Sequence, residues 1–476
     1  MMRDYQDNPW DGLDAIREQY GDIVSLQMGV HPMVLLSSVD YMKEVLIQKG
    51  EIFADRPNFS RFNIIFGGDK EHSLALCNWN DVHKVRRKFC KRAVMPSKVS
   101  VRNQLLESII AAHARNFVAE LVNRVHKNPS SAKLCKSDVL FLTGDIFMKF
   151  LCNDKHSHDD ETYQKFNYCY DYVFYDINQS QVIDFLPYLT KVGIQRDYLR
   201  KLQKVTDYCH HYIDEKIFQP RYSKYKNIIQ GENAAHKLLE AAVIDDQHDY
   251  LDKIIVEQLT GESIMQPEDY KVGFSDLLAG HSAVSNALMR LLGQLSLNRQ
   301  AQDMICEEAK RTKLFGLDYN PGLPAAEAAL LETLRFASSP IVPHIAREDT
   351  SIGDYFVPKG SNMLFNYYHI NRSEGFWTEP HKFDISRFLI EQADKTTYRL
   401  NVPKFFNPFS FGLRQCLGSR MVESISVVAA ASLCEKFILK ADDEQLARRL
   451  LHHRGTVALS PTDRCFEIEL IPRNEK

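Results

Sequence analysis

FSFGLRQCLG, residues 409 to 418, sets Phe409, Gly412, Arg414, Cys416 and Gly418 at fixed intervals within ten positions. Five specified residues at these spacings arise by chance in a chain this long with a probability of roughly 1 in 10,000 at average composition. Cys416 stands just ahead of SRMVESISVVAAASLCEKF (419–437), whose apolar residues recur at helical spacing. A cysteine before a helix N-terminus has its thiol pKa lowered by the helix dipole. Glycines at 412 and 418 permit a tight turn and let backbone N–H groups approach the sulfur. The plain alternative is a buried free cysteine in a turn, so the rest of the chain has to decide.

Composition narrows the field first. The chain has 476 residues, 44% hydrophobic, 25% charged and 11% aromatic, with a net charge of −3. That is ordinary globular composition with enough length to bury a large core, and it argues against disorder. No basic balance points to nucleic acid. The ten cysteines are scattered without a CxxC pair, as expected of reduced thiols rather than a disulfide framework or a metal ribbon. No run of 18 or more apolar residues is present, and MMRDYQDNPW lacks the pattern of a signal peptide.

The pattern along the chain predicts a mainly α protein with small β-sheets, an α+β architecture forming one domain over residues 1–476. DIVSLQMGVHPMVLLSS (22–38) alternates around a Gly-x-x-Pro turn and predicts a hairpin. VDYMKEVLIQKG (39–50) predicts a helix closed by Gly50. Nearly every long segment from about 97 to 335 has helical spacing, with loops such as CNDKHSHDDET and YNPGLP between. TSIGDYFVPKGSNMLFN (350–366) is hairpin-like, and VALSPTDRCFEIELIP (457–472) alternates as a strand pair. No repeat period or low-complexity linker interrupts this order.

On the 409–418 motif the chain resembles the haem-thiolate monooxygenases of the cytochrome P450 superfamily. The resemblance implies the P450 fold, with haem b held between a long distal helix and a proximal cysteine loop, Cys416 as the axial thiolate on iron, and Arg414 paired with a haem propionate. Other motifs agree. LLETLRF (330–336) puts Glu332 and Arg335 three apart on one helix face, and KFDISRF (382–388) supplies Arg387 where the family places the third member of a buried structural triad. Ile385 replaces that segment's usual proline. SSPIVPHIAREDT (338–350) resembles the substrate-contacting turn after the triad helix, with His344 at a propionate-binding position. CNWNDVHKVRRKFCKR (77–92) carries Trp79, but His83 occupies the arginine position of the family's W-x-x-x-R. Arg86, seven residues after Trp79, returns to the same helix face, so either His83 or Arg86 is the second propionate donor. Lys84, Arg87, Lys88 and Lys91 are expected to point elsewhere and present a proximal surface to an acidic electron donor. YGDIVSLQMG, FADRP and the closing strand pair extend the resemblance over essentially the whole chain.

LLAGHSAVSNAL (277–288) resembles the helix crossing over the haem, whose family pattern is (A/G)-G-x-(D/E)-T-(T/S). Ala279 and Gly280 match; Ser282 replaces the acid, and Ala283 and Val284 replace the alcohols that relay protons. Gly280 is expected to make room for dioxygen and to let the helix kink, with Ser282 and water as the substitute relay and His281, a bound water or a hydroxyl of the substrate as the other candidates; the alternative for Ser282 is a bond back to a carbonyl one turn earlier.

AGHSAVSNAL (279–288), GGDKEHSLALCNW (67–79) and SPIVPHIA (339–346) further resemble the insect Spook and Spookier group of ecdysteroid synthesis. That implies a sterol substrate, dioxygen, electrons from NADPH through NADPH-cytochrome P450 reductase with cytochrome b5 as a further donor, and no nucleic-acid partner. It also implies the cytosolic face of the endoplasmic reticulum membrane rather than the mitochondrion, with an apolar anchor ahead of residue 1. A haem-thiolate isomerase or dehydratase and a non-catalytic haem or sterol-binding protein stand as the alternatives.

Overall fold

The structure, a computed structural model, describes residues 8–473 apart from 129–131, 230–248, 261–263, 315–321, 340–341, 395–396 and 453–455. Parts of the YNPGLP loop and of the substrate-contacting turn (residues 340 and 341) thus lie outside the described residues. The helical spacing yields α1 (Asp81–Val94), α2 (Val101–Lys127), α3 (Lys136–Cys152), α4 (Glu161–Ile177), α5 (Arg196–Tyr212), α6 (Pro267–Ser296), α7 (Arg299–Thr312), α8 (Pro324–Ala337) and, after the cysteine loop, α9 (Ser419–Lys436).

The longest of these, α6, organises the body. It starts on Pro267, and the Asp269 carboxylate accepts the Gln266 N–H at 2.8 Å as a capping box. From Val284 to Leu295 every residue is buried, because α3, α8 and α9 pack around that half. Leu288, Leu291, Leu292 and Leu295 have no exposed surface, and each such burial stabilises the fold by about 1.5–3 kcal/mol. The N-terminal half differs. There Val272, Ser275, Asp276, Ala279 and Gly280 stay half-open, as does Ala283 at the junction, so this half has one unfilled face.

The 22–38 hairpin forms as β1 (Ile23–Met28) and β2 (His31–Leu36), with Leu26 opposite Met33. β3 (His344–Ile345) and β4 (Asn362–Phe365) complete a sheet in the order β1-β2-β4-β3, β4 running parallel to β2. The 350–366 run therefore divides: Thr350–Ile352 and Tyr355–Val357 make a hairpin, and β4 leaves it for a distant partner. The 457–472 stretch is not a strand pair. A 3₁₀ turn at Thr462–Arg464 follows Pro461, and the single strand β6 (Ile468–Pro472) pairs with β5 (Phe437–Ala441) and with Lys133–Leu134. Alternation reported an extended run but not its partner, since sheet pairing is a long-range choice.

Candidate functional site

The cysteine loop is shaped by its backbone. The Cys416 N–H donates to Phe409 O at 3.0 Å and closes the loop ahead of α9, while Phe409 itself is half-buried against the main core. Gly412 has φ +72°, and a Cβ there would lie 1.9 Å from Leu46 O in the π-helical turn Glu44–Gln48, so only glycine lets the two chains meet. Gly418 is different from expectation: its φ is −92°, which any residue adopts. It matters through its N–H, which with that of Ser419 bonds toward the Cys416 sulfur at the start of α9. Cys416 is accessible, yet surrounding protein desolvates it and pushes its thiol up, against the pull of those two amides and of Arg87. A group both accessible and desolvated lines an internal cleft.

One rim of that cleft is a cluster of cations. Arg414 donates through Nε to Ala54 O at 2.8 Å, and its other nitrogens reach Cys77 O and His83 Nε2, the latter at 2.8 Å. Arg56 donates to Ala75 O at 3.0 Å and Val342 O at 2.7 Å. Neither guanidinium is bonded to a carboxylate among the described residues. Burial, then repulsion from Arg414, holds Arg56 well below the usual arginine range. His83 is pushed down to about 2 by burial and by Arg414, Arg86, Arg87 and Arg56, so its ring is neutral. Because Nε2 accepts from Arg414, the proton sits on Nδ1, 2.9 Å from Cys77 Sγ. The Asn80 side chain, capping α1, accepts from His83 N at 2.7 Å and sets the register of the ring.

Two buried polar atoms beside these cations have no partner among the described residues: Trp79 Nε1 and His344 Nε2. Trp79 lies under the Arg414 guanidinium, 5.3 Å from carbon to ring centre, and His344 is fixed through Nδ1 to Phe53 O at 2.6 Å. Burial, followed by Arg56, pushes the His344 pKa well down. Unpaired buried polar atoms are rare and costly. The Trp79 N–H and two cations that no carboxylate bonds among the described residues, on the rim of a cleft that a cysteine sulfur faces, fit the carboxylates of a haem whose iron Cys416 would ligate; His344, whose Nδ1 proton is spent on Phe53 O, would join them only as an imidazolium.

The structure separates the other basic residues. Arg86 is spent elsewhere: it pairs with Asp269 of α6 and donates to Ser73 O at 2.8 Å and to Glu71 O. Of the two expected donors, it is therefore His83 that adjoins Arg414. Arg87 does not join an exposed patch; its side chain donates to Gln415 O next to the cysteine, and burial holds its pKa down to about 10. Lys84, Lys88 and Lys91 are exposed on α1. The triad residues come together: Arg335 bonds both oxygens of Glu332 at 2.7 and 2.8 Å, and Arg387 Nε lies 3.2 Å from Oε1. Glu332 and Arg335 have no exposed surface, and Arg335 also ties down Asn371 O and Pro380 O, away from the cysteine.

The distal residues are the main correction. α6 is unbroken through Gly280, and a Cβ on Gly280 would lie 3.2 Å from Phe147, so the glycine admits α3 instead of kinking the helix. His281 and Ser282 have no exposed surface. His281 is bonded through Nδ1 to Leu278 O at 2.7 Å and lies among Phe166, Tyr170 and Phe147, where burial pushes its pKa down to about 4. Among the described residues Ser282 Oγ has only a long contact, 3.4 Å, to His281 Nε2. Successive helix residues turn by about 100°, and the open face belongs to Asp276, Ala279, Gly280 and Ala283, which leaves Ser282 and His281 on the packed sides.

Sequence reasoning missed Arg56, Cys77 and Asp276. Arg56 stood in the quoted FADRP without a role, and nothing local marks the other two, because their partners lie far away in sequence. Asp276 accepts the Leu74 N–H at 2.6 Å. The stretch 74–77 thus links the distal helix at Leu74, the Arg56 side chain at Ala75 and the Arg414 side chain at Cys77.

Comparison with known proteins agrees with this geometry. The family model described as Cytochrome P450 matches residues 1–464. The chain is 29% identical to cytochrome P450 307a1 of Drosophila melanogaster, over 99% of this chain and 86% of that protein. It is 23% identical to the steroid 17-alpha-hydroxylase/17,20 lyase of Gallus gallus, over 90% of this chain and 82% of that one. A zebra fish cytochrome P450 solved with progesterone superposes with a TM-score of 0.72 at 20% identity, covering 98% of this chain and 99% of the other, and shows the same fold.

Proposed function

From the premise that this chain belongs to the cytochrome P450 family and is a monooxygenase, we propose that it oxidises a sterol at an early step of ecdysteroid synthesis. Proteins of the family carry haem on a cysteine thiolate, which activates dioxygen with NADPH-derived electrons passed on by a reductase. In this chain Cys416 would hold the iron, and Trp79, Arg56, Arg414 and a protonated His344 would hold the propionates. His83 keeps Arg414 in place as a neutral acceptor. Ala279, Gly280 and Ala283 form an apolar wall over the reacting face, suited to a lipophilic substrate.

The observation that carries the sterol reading is the distal-helix stretch AGHSAVSNAL with its Spook-like pattern. The steroid hydroxylase among the relatives supports it. Exposed apolar side chains favour a membrane setting at the endoplasmic reticulum: Val182, Tyr188, Val192 and Ile194 crowd one loop region, with Val192 73% exposed and Lys191, Arg196 and Arg200 beside them. Val30, 49% exposed, joins them through its N–H bond to Phe185 O. Lys84, Lys88 and Lys91, near the cysteine loop, suit an acidic reductase surface.

The test is incubation of membrane-reconstituted holoprotein with NADPH-cytochrome P450 reductase and candidate sterols, with identification of products. Oxidised sterol that forms only with both NADPH and dioxygen is expected. Sterol conversion that needs neither would select the isomerase or dehydratase, and no conversion of any sterol would remove the sterol reading.

A further inference from the structure

Apart from Ser275, whose hydroxyl bonds to that of Tyr170 at 2.8 Å, the open face of α6 is apolar except at one place. Asp276 lies on it, in line with Gly280 and Ala283, half-buried while its neighbours Leu277 and Leu278 are buried. One oxygen accepts the Leu74 N–H at 2.6 Å, and the Ala75 backbone also bonds to the carboxyl. No side chain bonds to it among the described residues. The nearest guanidinium, Arg86, is committed to Asp269.

Structure alone does not account for a carboxyl group here. Two backbone amides need only a neutral acceptor such as an asparagine oxygen, whereas an acid enclosed without a cation is destabilising. Burial pushes Asp276 up to about 7, against the two amides and Arg86, so near neutral pH the group both accepts and donates. It is polar, adaptable and set on the half-open face of the helix.

We propose that Asp276 anchors the substrate of this monooxygenase by hydrogen-bonding a hydroxyl group on an otherwise apolar molecule. At about 1.5 Å per residue, Gly280 lies roughly 6 Å and Ala283 roughly 10 Å further along the helix. The anchored hydroxyl and the oxidised carbon are therefore separated by about that span, which makes Asp276 a specificity-determining residue. The inference rests on the monooxygenase reading of this face but not on the substrate being a sterol.

The experiment uses holoprotein and two series of haem ligands, 1-alkylimidazoles and the matching ω-(imidazol-1-yl)alkanols, with chains of increasing length. Binding is read from the red shift of the Soret band. At one chain length the alkanol is expected to bind roughly tenfold tighter than its alkyl partner, and Asp276→Leu should abolish the difference. Asp276→Asn keeps an acceptor for Leu74 and hence the fold; it should cut the preference to a few-fold, and it decides the matter if the leucine variant holds no haem. A wild type without hydroxyl preference at any length, or a preference intact in Asp276→Asn and in any folded leucine variant, overturns the anchor. Failure to convert sterols with the alkanol preference intact overturns only the sterol reading.

Discussion

The cysteine loop and the distal helix are both tied to the stretch 74–77, and they are built on opposite principles. In the loop, function resides in backbone: Gly412 is forced by the approach of Leu46 O, and amides of Gly418 and Ser419 bond toward sulfur. On the helix, function resides in rotation. The same sequence position is reactive or inert according to which side packing leaves open, and here packing buries Ser282 and His281 and leaves Asp276 and Ala283 half-open. A local motif therefore identifies a loop site directly, whereas a helical site waits on the neighbours.

The contrast breaks most visibly at Cys416. Cys416→His is expected to abolish NADPH-dependent turnover and the strongly red-shifted Soret band of the ferrous carbon monoxide complex while haem is retained; an unchanged spectrum would remove Cys416 as the ligand. Next in size is the buried triad. Glu332→Ala strands Arg335 and Arg387, and breaking a buried ion pair costs about 3–5 kcal/mol, so denaturant unfolding should show a loss of that order and little holoprotein should accumulate.

The two glycines test the backbone argument against each other. Gly412→Ala puts a side chain into the left-handed region at about 1–2 kcal/mol and into contact with Leu46 O as well, so melting temperature and haem content should both drop. Gly418→Ala, at ordinary φ, should leave stability nearly unchanged. Equal losses would mean that the loop is not held as described.

On the helix the effects are smaller. His281 is held down to about 4 in the folded chain against an ordinary value near 6.5. Between those values the unfolded chain binds a proton that the folded one refuses, so stability falls as pH drops below about 6.5, by up to roughly 1.4 kcal/mol per unit. His281→Phe should flatten that slope in acid denaturation series, and an unchanged slope would mean that the ring is not enclosed. Ser282→Ala is expected to change least, with peroxide released per NADPH the same as in wild type; increased peroxide would return the serine to the relay that its burial denies it.

Much of this site was legible before any fold. Phe409, Gly412, Arg414, Cys416 and Gly418 are local in sequence, as are the Glu332–Arg335 spacing and the β1–β2 hairpin. Backbone geometry within ten residues acts through bonds and short turns, so spacing alone preserves it. The choice of His83 over Arg86 was not legible, since both return to one helix face and only Asp269, from another helix, draws Arg86 away. Arg56 and Cys77 were hidden for the same reason, each meeting partners hundreds of residues distant.

By itself the sequence determined the family, the cysteine loop, the Glu332–Arg335 pair and a mostly helical body with small sheets, because these follow from periodicity and from residues fixed within one loop or one turn. Tertiary structure alone decided which face of the distal helix is open, which cations bond no carboxylate among the described residues, which strand β6 pairs with and that Asp276 is a polar point on a mostly apolar wall. Those are differences in burial, and burial is a property of what elements distant in sequence leave uncovered when they pack.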